Sequence, residues 1–124
     1  MADLRGSDTV LEIGAGKGHI TRQLAMVCRQ VVSYEIDPAL CHRLQGALLE
    51  NVSLRCGDFL MARLPRGPYK VFANIPFSLT TAILRKLTMG DRMPEAAWLI
   101  VERCGALLRS VAGHDHEPGA ETLV

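Results

Sequence analysis

The sequence predicts an α/β fold, a mainly parallel sheet of about five strands with helices on both faces. Three observations carry that expectation. Short apolar runs of strand length recur along the chain. Between them lie stretches whose apolar residues repeat with the period of an amphipathic helix. Glycine, proline and aspartate mark the junctions, so the chain passes from strand into helix rather than through tight hairpins.

Taken in order, residues 1–8 are a polar lead-in to Thr9-Val10-Leu11-Glu12-Ile13, the first strand. Gly14-Ala15-Gly16-Lys17-Gly18 closes it, and from His19 to Cys28 the residues Ile20, Leu24, Val27 and Cys28 share one helix face. Gln30–Ile36 is the second strand. Asp37-Pro38 then reads as an N-cap with proline at the first helical position, and Leu40, Leu44 and Leu48 form the buried stripe of a second helix. Val52–Cys56 is a third strand ending at Gly57-Asp58, and the connector Leu64-Pro65-Arg66-Gly67-Pro68 leads to a fourth, Tyr69–Ala73. Asn74-Ile75-Pro76-Phe77 follows it, then a helix over Thr80–Leu87. The fifth strand is Ala96–Val101, with Trp98 in the core, and a helix through Leu107, Leu108 and Val111 is expected after it. Residues 1–112 are read as one core domain. From residue 113 to 124 the periodicity is lost, as in a frayed tail.

The chain of 124 residues is 48% hydrophobic, enough for one real core, and its net charge of +1 rules out bulk basicity as the means of holding a nucleic acid. Any such surface is local, with Arg63, Arg66, Lys70, Arg85, Lys86 and Arg92 as candidates. Cys28, Cys41, Cys56 and Cys104 include no Cys-x-x-Cys pair and sit in or beside apolar segments, which predicts reduced thiols, no zinc and a cytoplasmic setting. No apolar run reaches membrane-spanning length, and no signal-peptide core opens the chain. His114-Asp115-His116 has a metal-like look, but the tail offers no further ligand and no metal is expected.

The residues that carry chemistry fall at strand ends, where open α/β sheets bind ligands. Gly14 and Gly16 make a turn that lets a ligand approach main chain, and Glu35 ends the next strand where a ribose hydroxyl pair would be gripped. The spacing is not that of a P-loop, because Lys17 precedes glycine instead of Ser or Thr. Glu12 ahead of the glycines would repel a pyrophosphate but suits a cationic ligand such as S-adenosylmethionine, with its sulfonium and ammonium. Asp58 is placed to accept from the cofactor's adenine amine, with Phe59 and Leu60 beside the ring, and Ile36 joins the cofactor-binding residues. Asn74, the main chain at Ile75 and Pro76, and the ring of Phe77 then stand where a second, reacting base would lie. The Asn74 oxygen and one carbonyl would accept the two hydrogens of an exocyclic amine, with Phe77 stacked on the base.

Glu12–Gly18, Glu35–Asp37, Gly57-Asp58 and Asn74–Phe77 together resemble the class I S-adenosylmethionine-dependent methyltransferases, and more narrowly the ribosomal RNA adenine N6-methyltransferases. The wording of Val10–Thr21 and of the tetrad is most similar to the erythromycin-resistance branch, which methylates an adenine of 23S rRNA. The resemblance implies a Rossmann-like core, S-adenosylmethionine as cofactor, rRNA as partner and resistance to macrolides, lincosamides and streptogramin B. A small-subunit dimethyladenosine transferase is the alternative within the family. Against the family pattern, a segment ahead of the first strand, the closing antiparallel hairpin of the sheet and a helical C-terminal domain are expected to be missing. That would leave the fifth strand an exposed edge open to self-association. The chain would then be an active enzyme core, a binding-only remnant, or one piece of a complex.

Overall fold

The computed structural model describes residues 4–103 and the backbone of two further strands, Ala106–Gly113 and Thr122–Leu123. Five parallel strands form the body of the sheet: β1 (Thr9–Ile13), β2 (Gln30–Glu35), β3 (Val52–Cys56), β4 (Lys70–Pro76) and β5 (Ala96–Arg103). Helix α1 (His19–Val27) joins β1 to β2, α2 (Pro38–Leu44) joins β2 to β3, and α3 (Thr80–Thr88) joins β4 to β5. The strand order is β3-β2-β1-β4-β5-β6-β7, where β6 is Ala106–Gly113 and β7 is Thr122–Leu123, both antiparallel to their neighbours. The chain runs outward from β1 through β2 to β3 and then crosses back to β4. The reversal opens a crevice at the carboxyl ends of β1 and β4.

Alternation along the strands sends successive side chains to opposite faces. Val10, Val31 and Phe72 pack with Leu24, Ala25 and Cys28 on the α1 side. Leu11, Ile13, Val71, Ala73, Ile75, Ala97, Leu99 and Val101 pack with Ile83 and Leu87 on the α3 side. Leu24 and Leu87 are buried to 2% exposure or less, each contributing about 1.5–3 kcal/mol. Trp98 and Ile100 are only partly buried, on the α1 side.

The helix ends follow local chemistry. Asn51 Nδ2 donates to the carbonyls of Ala25 and Cys28, at 2.8 and 3.1 Å, satisfying acceptors freed at the end of α1. Asp37 caps α2 as its sequence predicts, its Oδ1 accepting from the amide of Ala39 at 2.9 Å with Pro38 next in the chain. The helix stops at Leu44, and Gly46 turns with φ 80°, so Cys41 and Leu44 are the buried pair while Leu48 lies beyond its end.

Four expectations are corrected. The strand carrying the tetrad does not end at Ala73 but runs to Pro76. Its pairing with β1 stops at Ala73, because β1 turns away at Gly14, and beyond that point β4 pairs with β5 alone, where a proline is tolerated. The segment through Leu107, Leu108 and Val111 is strand β6, not a helix; a short apolar run fits either period, and pairing with β5 decides it. The sheet therefore does have an antiparallel closing pair, and β5, flanked by β4 and β6, is not an exposed edge, which removes the basis for self-association through it. Lastly, Cys41 and Cys56 are joined as a disulfide, their Cα atoms 5.9 Å apart, because α2 lays Cys41 over the end of β3. Cys28 is free and buried as expected. Of residues 113–124, Gly113 ends β6 and Thr122 and Leu123 form β7, while His114, Asp115 and His116 lie outside the described residues.

Candidate active site

At the carboxyl ends of the central strands lies a cavity of about 330 Å³, within the range of small-molecule sites. Gly14 and Gly16 border it from the turn after β1, Glu35 from the end of β2 and Ile36 just beyond it, Asp58, Phe59 and Leu60 from the turn after β3, and Asn74, Ile75 and Pro76 from β4.

Each side chain has a local reason to be where it is. The turn Gly14–Gly18 is tied to β2 by the amides of Gly14 and Ala15, which donate to the Tyr34 carbonyl at 2.9 and 3.1 Å. Gly14 has φ +85°, and a Cβ there would stand 2.4 Å from the Asn74 carbonyl oxygen, so only glycine lets β4 come this close. At Gly16, φ +59°, a Cβ would meet nothing within 4 Å, leaving open space beside the main chain. Glu35 is 6% exposed; its Oε1 accepts from the Gly16 amide at 2.7 Å and its Oε2 from the Asp37 amide at 2.9 Å. These two bonds fix the carboxylate plane and leave further lone pairs for a diol. Asp58 Oδ1 caps the 3₁₀ turn Phe59–Met61 by accepting from the Leu60 amide at 2.9 Å. The Phe59 ring, itself buried, meets Tyr34 edge-on with centroids 5.2 Å apart. Lys86 on α3 is partly buried over that turn; burial lowers its pKa, against the nearby Asp58 charge, which raises it.

Two predicted site residues are not among those bordering the cavity. Glu12 points to the α1 face, 2% exposed, where its Oε1 accepts from Thr21 Oγ1 and, at 2.8 Å, from Ser33 Oγ. Strand alternation explains this, since Ile13 takes the opposite face. Burial raises the Glu12 pKa, and the Thr21 and Ser33 hydrogen bonds lower it, while the Glu35 charge adds to the rise. Phe77 opens the 3₁₀ turn Phe77–Leu79 and is 46% exposed, next to Pro76. The cavity also has residues that the sequence reading did not assign to a site: Leu79, which caps α3, Ile83 one turn into α3, and Glu102 near the end of β5. Glu102 pairs in register with Pro76. Its signal was an acidic residue closing an apolar strand, as at Glu35.

Among the six basic candidates, Lys70 lies 3.0 Å from Asp8 in a partly buried ion pair, Lys86 turns inward, and Arg92 reaches the Leu64 carbonyl at 3.2 Å. Burial works to raise the Asp8 pKa, but the Arg5 amide and Lys70 outweigh it and hold the carboxyl below its ordinary range. Arg63, Arg66 and Arg85 are exposed. The described residues contain no group of His, Cys, Asp and Glu able to hold a metal and no helix long and apolar enough to cross a membrane.

The donor set suits S-adenosylmethionine. The Glu35 carboxylate held by two main-chain amides, a second acid in Asp58, apolar Ile36, Phe59 and Leu60, and open space along Gly16 border one cavity. Comparison with known proteins agrees. The family model for ribosomal RNA adenine dimethylases matches residues 1–117. An rRNA adenine N-6-methyltransferase of Limosilactobacillus reuteri is 39% identical over 102 residues, covering 80% of this chain and 41% of that protein. The ribosomal RNA small subunit methyltransferase A of Thermotoga neapolitana is 39% identical over 114 residues, 90% of this chain and 44% of that one. The crystal structure of the 23S rRNA methyltransferase ErmE superposes with a TM-score of 0.70 at 37% identity, covering 82% of this chain and 42% of that one. The chain thus spans less than half the length of these relatives. It carries the Rossmann-like, S-adenosylmethionine-dependent methyltransferase core and belongs to the ribosomal RNA adenine dimethylase family.

Proposed function

We propose that this chain is the cofactor-holding and base-methylating core of an adenine N6-methyltransferase acting on 23S rRNA, conferring resistance to macrolides, lincosamides and streptogramin B. The observation that carries the reading is that Asn74 and the Ile75–Pro76 segment border the same cavity as Glu35 and Asp58. S-adenosylmethionine brings a methyl group already activated on a sulfonium, so no strong base is needed before attack. The chain supplies geometry and a field for the charge that develops on nitrogen. Glu35 grips the ribose hydroxyls, Asp58 accepts from the cofactor's adenine amine, and Ile36, Phe59 and Leu60 wall the ring. Gly14 and Gly16 give main-chain approach, and the Glu12 carboxylate lies behind that turn. The Asn74 side-chain oxygen and a carbonyl at Ile75 or Pro76 accept the two N6 hydrogens of the target adenine, turning its lone pair to the methyl. Phe77 stacks on the extruded base, a contact of about 1–3 kcal/mol. Arg63, Arg66 and Arg85 meet the rRNA backbone, and the setting is cytoplasmic.

A second reading, methylation of small-subunit rRNA, is favoured by the likeness to the Thermotoga neapolitana protein over 90% of this chain. Tritium-methyl transfer from S-adenosylmethionine to protein-free 23S and 16S rRNA decides between them. Label in 23S alone is expected; label in 16S alone establishes the second reading, and cofactor binding without transfer marks a binding-only core. Asn74→Ala should abolish transfer and leave cofactor affinity within about tenfold, since uncharged single contacts contribute about 0.5–1.5 kcal/mol. Equal loss of both in a calorimetric titration would move Asn74 to the cofactor-holding group.

A further inference from the structure

The turn Phe59–Met61, whose Phe59 packs in the core beside Tyr34, is also gripped from α3 by one polar side chain. Lys86 Nζ, on α3, donates to the Phe59 carbonyl at 2.5 Å and to the Ala62 carbonyl, and stands 4.7 Å from the centroid of the Phe59 ring. Its contacts thus fall on both ends of a four-residue stretch. The stretch's own bonds are local: Leu60 and Met61 amides to Asp58, and the Ala62 amide to Phe59. These shape the turn but do not attach it to the rest of the molecule. The α3 helix, for its part, continues directly from the 3₁₀ turn after the Asn74 tetrad, and its Ile83 and the preceding Leu79 border the same cavity.

We infer that Lys86 is a positioning residue for cofactor binding: through two main-chain carbonyls and the Phe59 ring it fixes the adenine wall, and it joins that wall to the helix that follows the target-base end of β4. The chemistry fits lysine. An ammonium has three donors and no acceptor, so it satisfies two carbonyls at once and still faces a π surface. A neutral chain of the same length leaves both carbonyls without this donor and the ring without its cation. Lys86 was a candidate for binding RNA phosphate, and its inward set redirects it to the cofactor side. The inference rests on the cavity being the S-adenosylmethionine site.

The test is a calorimetric titration of S-adenosylmethionine into the native chain and into Lys86→Met, Lys86→Gln and Lys86→Arg. Lys86→Met is expected to weaken binding about tenfold at unchanged stoichiometry, a change of about 1.4 kcal/mol. Arginine, which can donate to both carbonyls and stack on the ring, should restore affinity to within about threefold, and glutamine, with two amide hydrogens and no charge, should fall between. A role in folding alone would lower the stoichiometry and the thermal midpoint and leave the Kd of the folded fraction where it was. Unchanged Kd in Lys86→Met, or in Lys86→Gln if the methionine variant does not fold, overturns the inference, and so does failure of a folded Lys86→Arg to restore binding. Absence of binding in the native chain would instead overturn the cofactor reading itself.

Discussion

Replacing Gly14 and Gly16 separately by alanine separates two kinds of glycine in one turn. At position 14 the new methyl would sit 2.4 Å from the Asn74 carbonyl oxygen, a main-chain atom on a strand that is itself paired with Ile100 of β5. Neither strand can yield without disturbing its ladder, and φ +85° is strained for alanine in any case. Strain of about 1–3 kcal/mol for the backbone, with overpacking of about 1–3 kcal/mol, puts the cost of Gly14→Ala at roughly 2–6 kcal/mol, centred on about 4. At position 16 the methyl meets nothing and φ +59° lies in the left-handed region that alanine enters at about 1–2 kcal/mol. With urea slopes of about 1–3 kcal/mol per molar for small proteins, the midpoint for Gly14→Ala should fall about 1 M further than for Gly16→Ala. Gly16→Ala should stay folded yet lose S-adenosylmethionine affinity, because its methyl enters the open space along the turn. Equal urea midpoints for the two variants would refute the reasoning, since they would mean that β1 and β4 do not approach at Gly14 as described.

Glu12→Gln tests the buried carboxylate. Because the folded-state pKa of Glu12 lies above its ordinary value, its contribution to stability is fully present at acid pH and is lost as pH rises through that folded value. The amide keeps an acceptor for Thr21 and Ser33, so the variant should gain on the native chain as pH rises from 4 to 8, measured as the difference in urea midpoints; a flat difference rejects the assignment. Opening the Cys41–Cys56 bridge, with 15 residues of separation, should cost about 3 kcal/mol by loop-closure entropy. Urea unfolding of Cys56→Ser against the native chain, with and without reductant, checks this: reductant should lower the native midpoint and leave the variant's alone.

Most of the sheet was legible because its strands announce themselves twice, by apolar runs and by the residues that stop them. Asp37-Pro38 fixed the start of α2, and Glu35 and Asp58 stood out as acids closing β-strands. Pairing was harder to read. Nothing local says that β1 releases β4 at Ala73, so the strand reads as ending there although Asn74, Ile75 and Pro76 lie in it. Residues 107–111 fit a helical stripe or a strand equally well, and pairing with β5 chooses the strand. The same holds within the site. Glu12 was identified as a key acid, but its face depends on the register of β1, and that register turns it toward Thr21 and Ser33. Likewise Cys41 and Cys56 carried no sequence signal of pairing, since their approach exists only once α2 lies over β3.

Amide chemical-shift mapping during titration with S-adenosylhomocysteine tests the central claim most directly, because it reports the whole rim at once. The account predicts that Gly14, Gly16, Ile36, Asp58, Leu60 and Asn74 shift together with a single dissociation constant. Shifts confined to one side of the crevice, or gathered on another surface with these six unmoved, would contradict it.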